Sequence, residues 1–149
     1  MEQPAGNKIT GNPSSHPALS VKWVEDFPDI PLNRNEAYKL RVTSKGVEIE
    51  AITETGVYRA IQTLRQLTEK KGNGIAITGC EITDWPAFRI RGFMQDVGRT
   101  YISTDELKRE IAILARYKIN VFHWHLTENQ AWRLQSKVFP MLNDSVNTT

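Results

Sequence analysis

Cysteine is all but missing. Cys80 stands alone among 149 residues, which excludes an internal disulfide and a Cys-rich zinc site and leaves the redox compartment open. A dominant charge is missing too: 19 Lys and Arg against 17 Asp and Glu give a formal +2. With no basic stripe, nucleic acid is not an expected partner. No apolar run nears the ~20 residues that a bilayer-spanning helix needs, so no membrane partner is expected. The start, Met1-Glu2-Gln3-Pro4-Ala5-Gly6, has neither a positive charge nor an apolar stretch of about 7–15 residues, so it reads as no secretion signal. The sequons at Asn143 and Asn147 read as chance in a polar stretch.

Two regions of different character are present. Residues 1–17 are rich in Gly, Pro, Ser and Asn and read as a flexible N-terminal segment. Residues 18–84 read as a small α+β domain, a sheet with one packed helix. Extended runs fall at Leu19–Val24, Tyr38–Thr43 and Val47–Ile52, the last two alternating and joined by Ser44-Lys45-Gly46 as a hairpin. Val57, Ala60, Ile61, Leu64 and Leu67 recur at helical spacing, with Thr53 or Thr55 as cap, Lys70 and Lys71 in the last turn and Gly72 as the stop. Ile75–Ile82 reads as one further strand.

From residue 85 onward the pattern becomes strand, helix, strand. Phe88–Val97 and Ile119–Leu126 are the strands, and Ser103 with Glu106 forms a capping box. Leu107, Ile111, Leu114 and Ala115 supply the buried stripe of the helix between them. A second helix is expected over Gln130–Lys137, ending at Pro140. A helix-length crossover makes the strands parallel. Two parallel strands and one helix cannot cover both faces of a sheet. Residues 85–149 are also far short of the ~250 residues of a (β/α)8 barrel. They read as the truncated start of such a barrel, with an exposed edge open to self-association.

The chemistry-bearing residues gather where the strands end. Arg99 and Glu128 fall just past the carboxyl ends of the two strands, where βα folds build active sites. A guanidinium and a carboxylate form forked hydrogen bonds to vicinal hydroxyls, and the indoles of Trp124 and Trp132 suit the apolar side of a pyranose. The plain alternative is a structural Arg99–Glu128 ion pair. Asp96 is read as orienting Arg99. His123 and His125 alternate to one face of their strand. They could begin a zinc site in a metal-dependent hydrolase, or serve as hydrogen-bonded structural histidines. Asp105 and Glu106 receive no chemistry, because the helix start explains both. A non-catalytic interaction module is the third reading.

Two segments, Arg91-Gly92-Phe93-Met94-Gln95-Asp96-Val97-Gly98-Arg99 and Asn120-Val121-Phe122-His123-Trp124-His125-Leu126-Thr127-Glu128-Asn129-Gln130-Ala131-Trp132-Arg133, closely resemble the family 20 glycoside hydrolases, the β-N-acetylhexosaminidases. Gly56–Leu67 is similar to the helix of the small domain preceding their barrel. The resemblance implies hydrolysis of terminal β-linked N-acetylglucosamine or N-acetylgalactosamine with retention, by substrate-assisted catalysis and without a cofactor. It implies that Arg99 binds the sugar's 3- and 4-hydroxyls, that Glu128 supports the acid/base relay and that His125 is structural support. The catalytic Asp-Glu pair of the family comes from a later strand and has no counterpart in this chain, so the chain alone is expected to be inactive. N-acetylhexosamine-containing glycans are the implied partners, in the periplasm or outside the cell. Thr100, Glu128-Asn129 and Ala131 depart from the commoner His, Asp-Asp and Gly of the family pattern.

Overall fold

The computed structural model describes residues 8–10, 18–129 and 131–143. The chain divides into two compact units, residues 1–89 and 90–149.

In the first unit, β2 (Ala18–Trp23), β3 (Tyr38–Thr43), β4 (Gly46–Ala51) and β7 (Cys80–Asp84) form a sheet in the order β2-β4-β3-β7. β3 runs antiparallel to β4 and β7, and β2 runs parallel to β4. The period-2 alternation puts Tyr38, Leu40 and Val42 of β3 and Val47 and Ile49 of β4 on one buried face. The helix α1 (Glu54–Gln66) lays Val57, Ala60, Ile61 and Leu64 against that face. Thr53 is its cap: Gly56 N donates to the Thr53 hydroxyl at 3.3 Å. Gly56 is required by close approach, since a Cβ there would lie 2.5 Å from the Ala37 carbonyl oxygen. The other face is charged, with Lys22–Glu50 at 2.7 Å and Arg41–Glu81 at 2.8 Å, the mark of a solvated sheet face.

Three expectations for this unit are corrected. Helix α1 stops at Gln66, and Thr68–Lys71 is a strand, β5, not the last helical turn. The Ile75–Ile82 run divides between two sheets. Gly74–Thr78 (β6) pairs with β5 and with β1 (Lys8–Thr10), while β7 joins the four-stranded sheet. Gly72 therefore turns a hairpin, its φ of +58° occupying the first of two turn positions between Lys71 and Gly74. Of the segment 1–17 expected to be flexible, Lys8–Thr10 is the paired strand β1 and the rest lies outside the described residues.

In the second unit, β8 (Gly92–Asp96) and β9 (Val121–His125) pair in parallel, Gly92 with Val121 through Asp96 with His125. The helix α2 (Thr104–Arg116) lies between them in sequence, opened by the Ser103–Glu106 capping box. β8 is shorter than the expected Phe88–Val97 run. Of the stripe on α2, Leu107 is buried but Ile111 is exposed, because two strands offer the helix little to cover. Residues 131–137 form no helix, and Gln130 lies outside the described residues. Instead Thr127 bridges Trp132, and Pro140 opens a 3₁₀ turn rather than ending a helix. Asn143 is the last residue of that turn, and the rest of its sequon and Asn147 lie outside the described residues.

Candidate active site

Parallel neighbours project to the same side of a sheet, so Asp96 of β8 and His125 of β9 stand side by side. The chain leaving β8 turns at once on Asp96. Its Oδ1 accepts hydrogen bonds from Gly98 N (2.9 Å) and Arg99 N (3.1 Å), and its Oδ2 accepts from Arg99 Nε (2.5 Å). These contacts hold the Asp96 carboxyl below its ordinary range, the backbone N–H of Arg99 contributing most. The same carboxylate raises the pKa of the Arg99 guanidinium, and Glu128 adds to the effect. The forked contact fixes the guanidinium root while the side chain stays mostly open to solvent.

Glu128 meets this loop from the other strand. A Cβ on Gly98 would lie 3.1 Å from Glu128 Cβ and 3.4 Å from Glu128 N, so glycine lets the two loops pass in contact. His125 Nε2 lies 2.8 Å from the Thr127 carbonyl oxygen and 3.2 Å from Glu128 Oε2. The structure thus brings Asp96, Arg99, His125 and Glu128 together at the carboxyl end of one parallel strand pair. An Arg99–Glu128 bond is not the organising contact. Arg99 is held by Asp96, which leaves the outer part of both side chains available to a polyhydroxyl ligand.

The remaining candidates fall elsewhere. His123 stacks beside His125, ring centroids 6.1 Å apart, but is exposed. His125 is partly buried, with its Nε2 at the Thr127 carbonyl. Among the described residues no group of three His, Cys, Asp or Glu converges that could hold a metal ion. Trp124 projects to the sheet face opposite the histidines and is 46% exposed. Trp132 is partly buried, its Nε1 sealed without a hydrogen-bond partner. Glu106 is engaged in its cap, accepting from Ser103 N (3.1 Å) and Ser103 Oγ (2.7 Å). Sequence reasoning passed over Gly98 and Arg133, although a glycine two residues past the Asp that ends a strand is itself a signal of close backbone approach.

Residues 88–148 match the family model for the catalytic domain of glycosyl hydrolase family 20, and residues 4–85 match the model for domain 2 of that family. The chain belongs to glycosyl hydrolase family 20. It is 41% identical to a β-hexosaminidase of Porphyromonas gingivalis, across 99% of this chain and 18% of that protein. It is 39% identical to a β-N-acetylhexosaminidase of Cellulomonas fimi, across 84% of this chain and 25% of that protein. Among solved structures it is similar to the Vibrio harveyi family 20 exo-β-N-acetylglucosaminidase in complex with N-acetylglucosamine. That likeness has a TM-score of 0.74 and 37% identity over 84% of this chain and 19% of that one. The chain therefore spans about a fifth to a quarter of the length of these family 20 relatives, covering the α+β domain and the start of the catalytic domain.

Proposed function

We propose that this chain is part of a retaining β-N-acetylhexosaminidase that releases terminal β-linked N-acetylglucosamine or N-acetylgalactosamine. In this reading β8, α2 and β9 open a (β/α)8 barrel, and the loops after β8 and β9 form one wall of its sugar pocket. Arg99, fixed at its root by Asp96, donates to the 3- and 4-hydroxyls of the terminal sugar. Glu128, with His125 against it, supports the acid/base relay. The substrate's own acetamido oxygen attacks the anomeric carbon. An aspartate orients that group, and a glutamate protonates the leaving oxygen and then activates water. The Asp105-Glu106 pair of this chain cannot fill those roles, because Glu106 is committed to the helix cap. The catalytic pair belongs to a later strand outside this chain.

One observation carries the reading: Arg99 and Glu128 emerge at the same end of two adjacent parallel strands, with their loops in van der Waals contact. The test is hydrolysis of 4-nitrophenyl N-acetyl-β-D-glucosaminide by the full-length protein and by the 149-residue chain. Turnover by the full-length protein alone is expected. Turnover by the short chain, or none by the full-length protein, would overturn the reading.

A further inference from the structure

The segment that carries Arg99 is fastened at more than one point. Val97, 3% exposed, donates its N–H to the His125 carbonyl of β9 at 3.0 Å. Its own carbonyl accepts from Arg133 Nε at 2.9 Å. Two residues beyond Arg99, the Tyr101 ring lies under the same Arg133 guanidinium, 5.7 Å from its carbon to the ring centroid. One side chain thus touches the chain on both sides of Arg99, at Val97 and at Tyr101.

Arg133 is itself held. Its N–H donates to the Leu126 carbonyl at 2.9 Å, Thr127 bridges Trp132, and Glu128 N donates to the Ala131 carbonyl at 2.9 Å. These contacts fold the loop after β9 into a short antiparallel turn with Glu128 in one arm and Arg133 at the base of the other. The turn joins the Arg99 segment through Arg133 and touches it again where Gly98 meets Glu128.

We infer that Arg133 is a positioning residue for sugar binding: it locks the Arg99 segment against the Glu128 turn, so that the guanidinium and the carboxylate keep a fixed separation. The inference rests on the proposed function, since the separation matters only if both groups meet one sugar. Arg133 touches no substrate in this account. It acts through Arg99, and that dependence can be measured.

The experiment is a double-mutant cycle in the full-length protein, with kcat and KM on 4-nitrophenyl N-acetyl-β-D-glucosaminide and the thermal midpoint read for each variant. Arg133→Gln removes the cation over Tyr101 and shortens the side chain, its amide ending where the Nε donor to Val97 stood. We expect it to raise KM about tenfold when Arg99 is present and to add almost nothing in the Arg99→Ala background, as coupled residues do. Arg133→Lys, which keeps a cation beside Tyr101, should show a smaller rise with the same dependence on Arg99. If Arg133→Gln does not fold, the lysine variant decides by the same comparison. An unchanged KM, or an equal rise in both backgrounds, would overturn the inference and leave the proposed function standing. An unchanged KM for Arg99→Ala alone would overturn the proposed function and the inference with it.

Discussion

Tyr38→Phe removes one oxygen from the centre of the first unit and leaves every carbon in place. Tyr38 is 1% exposed. Its hydroxyl donates to Asp84 Oδ2 at 2.8 Å and lies 2.5 Å from Thr63 Oγ1, so it ties β3 to the end of β7 and to α1. The ring remains in the variant, so no cavity opens and the loss is polar alone. A hydrogen bond to a carboxylate contributes about 1.5–3 kcal/mol and a neutral one about 1, and the two groups share one hydroxyl. We expect a net loss of about 2–3 kcal/mol. With a urea slope of about 1–3 kcal/mol/M, the unfolding midpoint of the first unit should fall by roughly 1 M. Tyr58→Phe, on the exposed side of α1, is the matched control and should stay within about 0.5 kcal/mol of wild type.

The same site has a pH signature. Burial raises the Tyr38 hydroxyl pKa well above its ordinary 10.0. The folded state therefore keeps a proton that the unfolded chain loses, so the contribution is whole below pH ~10 and is lost as pH rises beyond it. Tyr38→Phe should remove that alkaline loss. A variant as stable as wild type at neutral pH, or with the alkaline loss intact, would show that the Tyr38 hydroxyl does not hold β3 to β7 and α1.

Three further outcomes follow from the same geometry. Gly56→Ala gains helix propensity of up to about 1 kcal/mol. It also drives a methyl to 2.5 Å from a backbone oxygen, a clash that costs about 1–3 kcal/mol. Urea unfolding should show net destabilisation, and a stabilised variant would contradict the close approach. The Asp96 carboxyl, held low by the N–H groups of the Arg99 loop, should titrate by carbon NMR below its ordinary 3.8. What it contributes to loop order is present above that value and lost as pH falls through its own lowered pKa; titration at or above the ordinary value would contradict the contacts drawn. The isolated 149-residue chain should associate with rising concentration through the free edges of the β8–β9 pair, and a monomer at all concentrations by sedimentation would contradict it.

The sequence shows the core of the first unit clearly, because Leu40, Val42, Val47 and Ile49 alternate and the α1 stripe repeats at helical spacing. It hides what depends on distant pairing. Thr68–Lys71 has the composition of a polar helix end and becomes a strand only because β6 lies beside it. Ile75–Ile82 looks like one apolar run, yet the break at Gly79 sends its two halves to different sheets. The non-helical loop after β9 is shaped by backbone pairing of Leu126 and Glu128 with Arg133 and Ala131 and is tied to Val97, 36 residues from Arg133, by a side-chain bond, neither of which helical periodicity reveals. At the candidate site, strand-end placement pointed to Arg99 and Glu128. Asp96 is read from the sequence as orienting Arg99, but its hydrogen bonds to the Gly98 and Arg99 N–H groups and the Gly98 approach emerged only with the geometry.

In the proposed function the Arg99 guanidinium holds a terminal N-acetylhexosamine. The decisive measurement is kcat/KM of the full-length protein and its Arg99→Ala variant on a nitrophenyl N-acetylhexosaminide. Loss of a charged hydrogen-bonding partner of about 2–4 kcal/mol predicts a fall of roughly 30- to 1,000-fold, with a raised KM. An Arg99→Ala enzyme whose kcat/KM equals that of wild type would contradict the account.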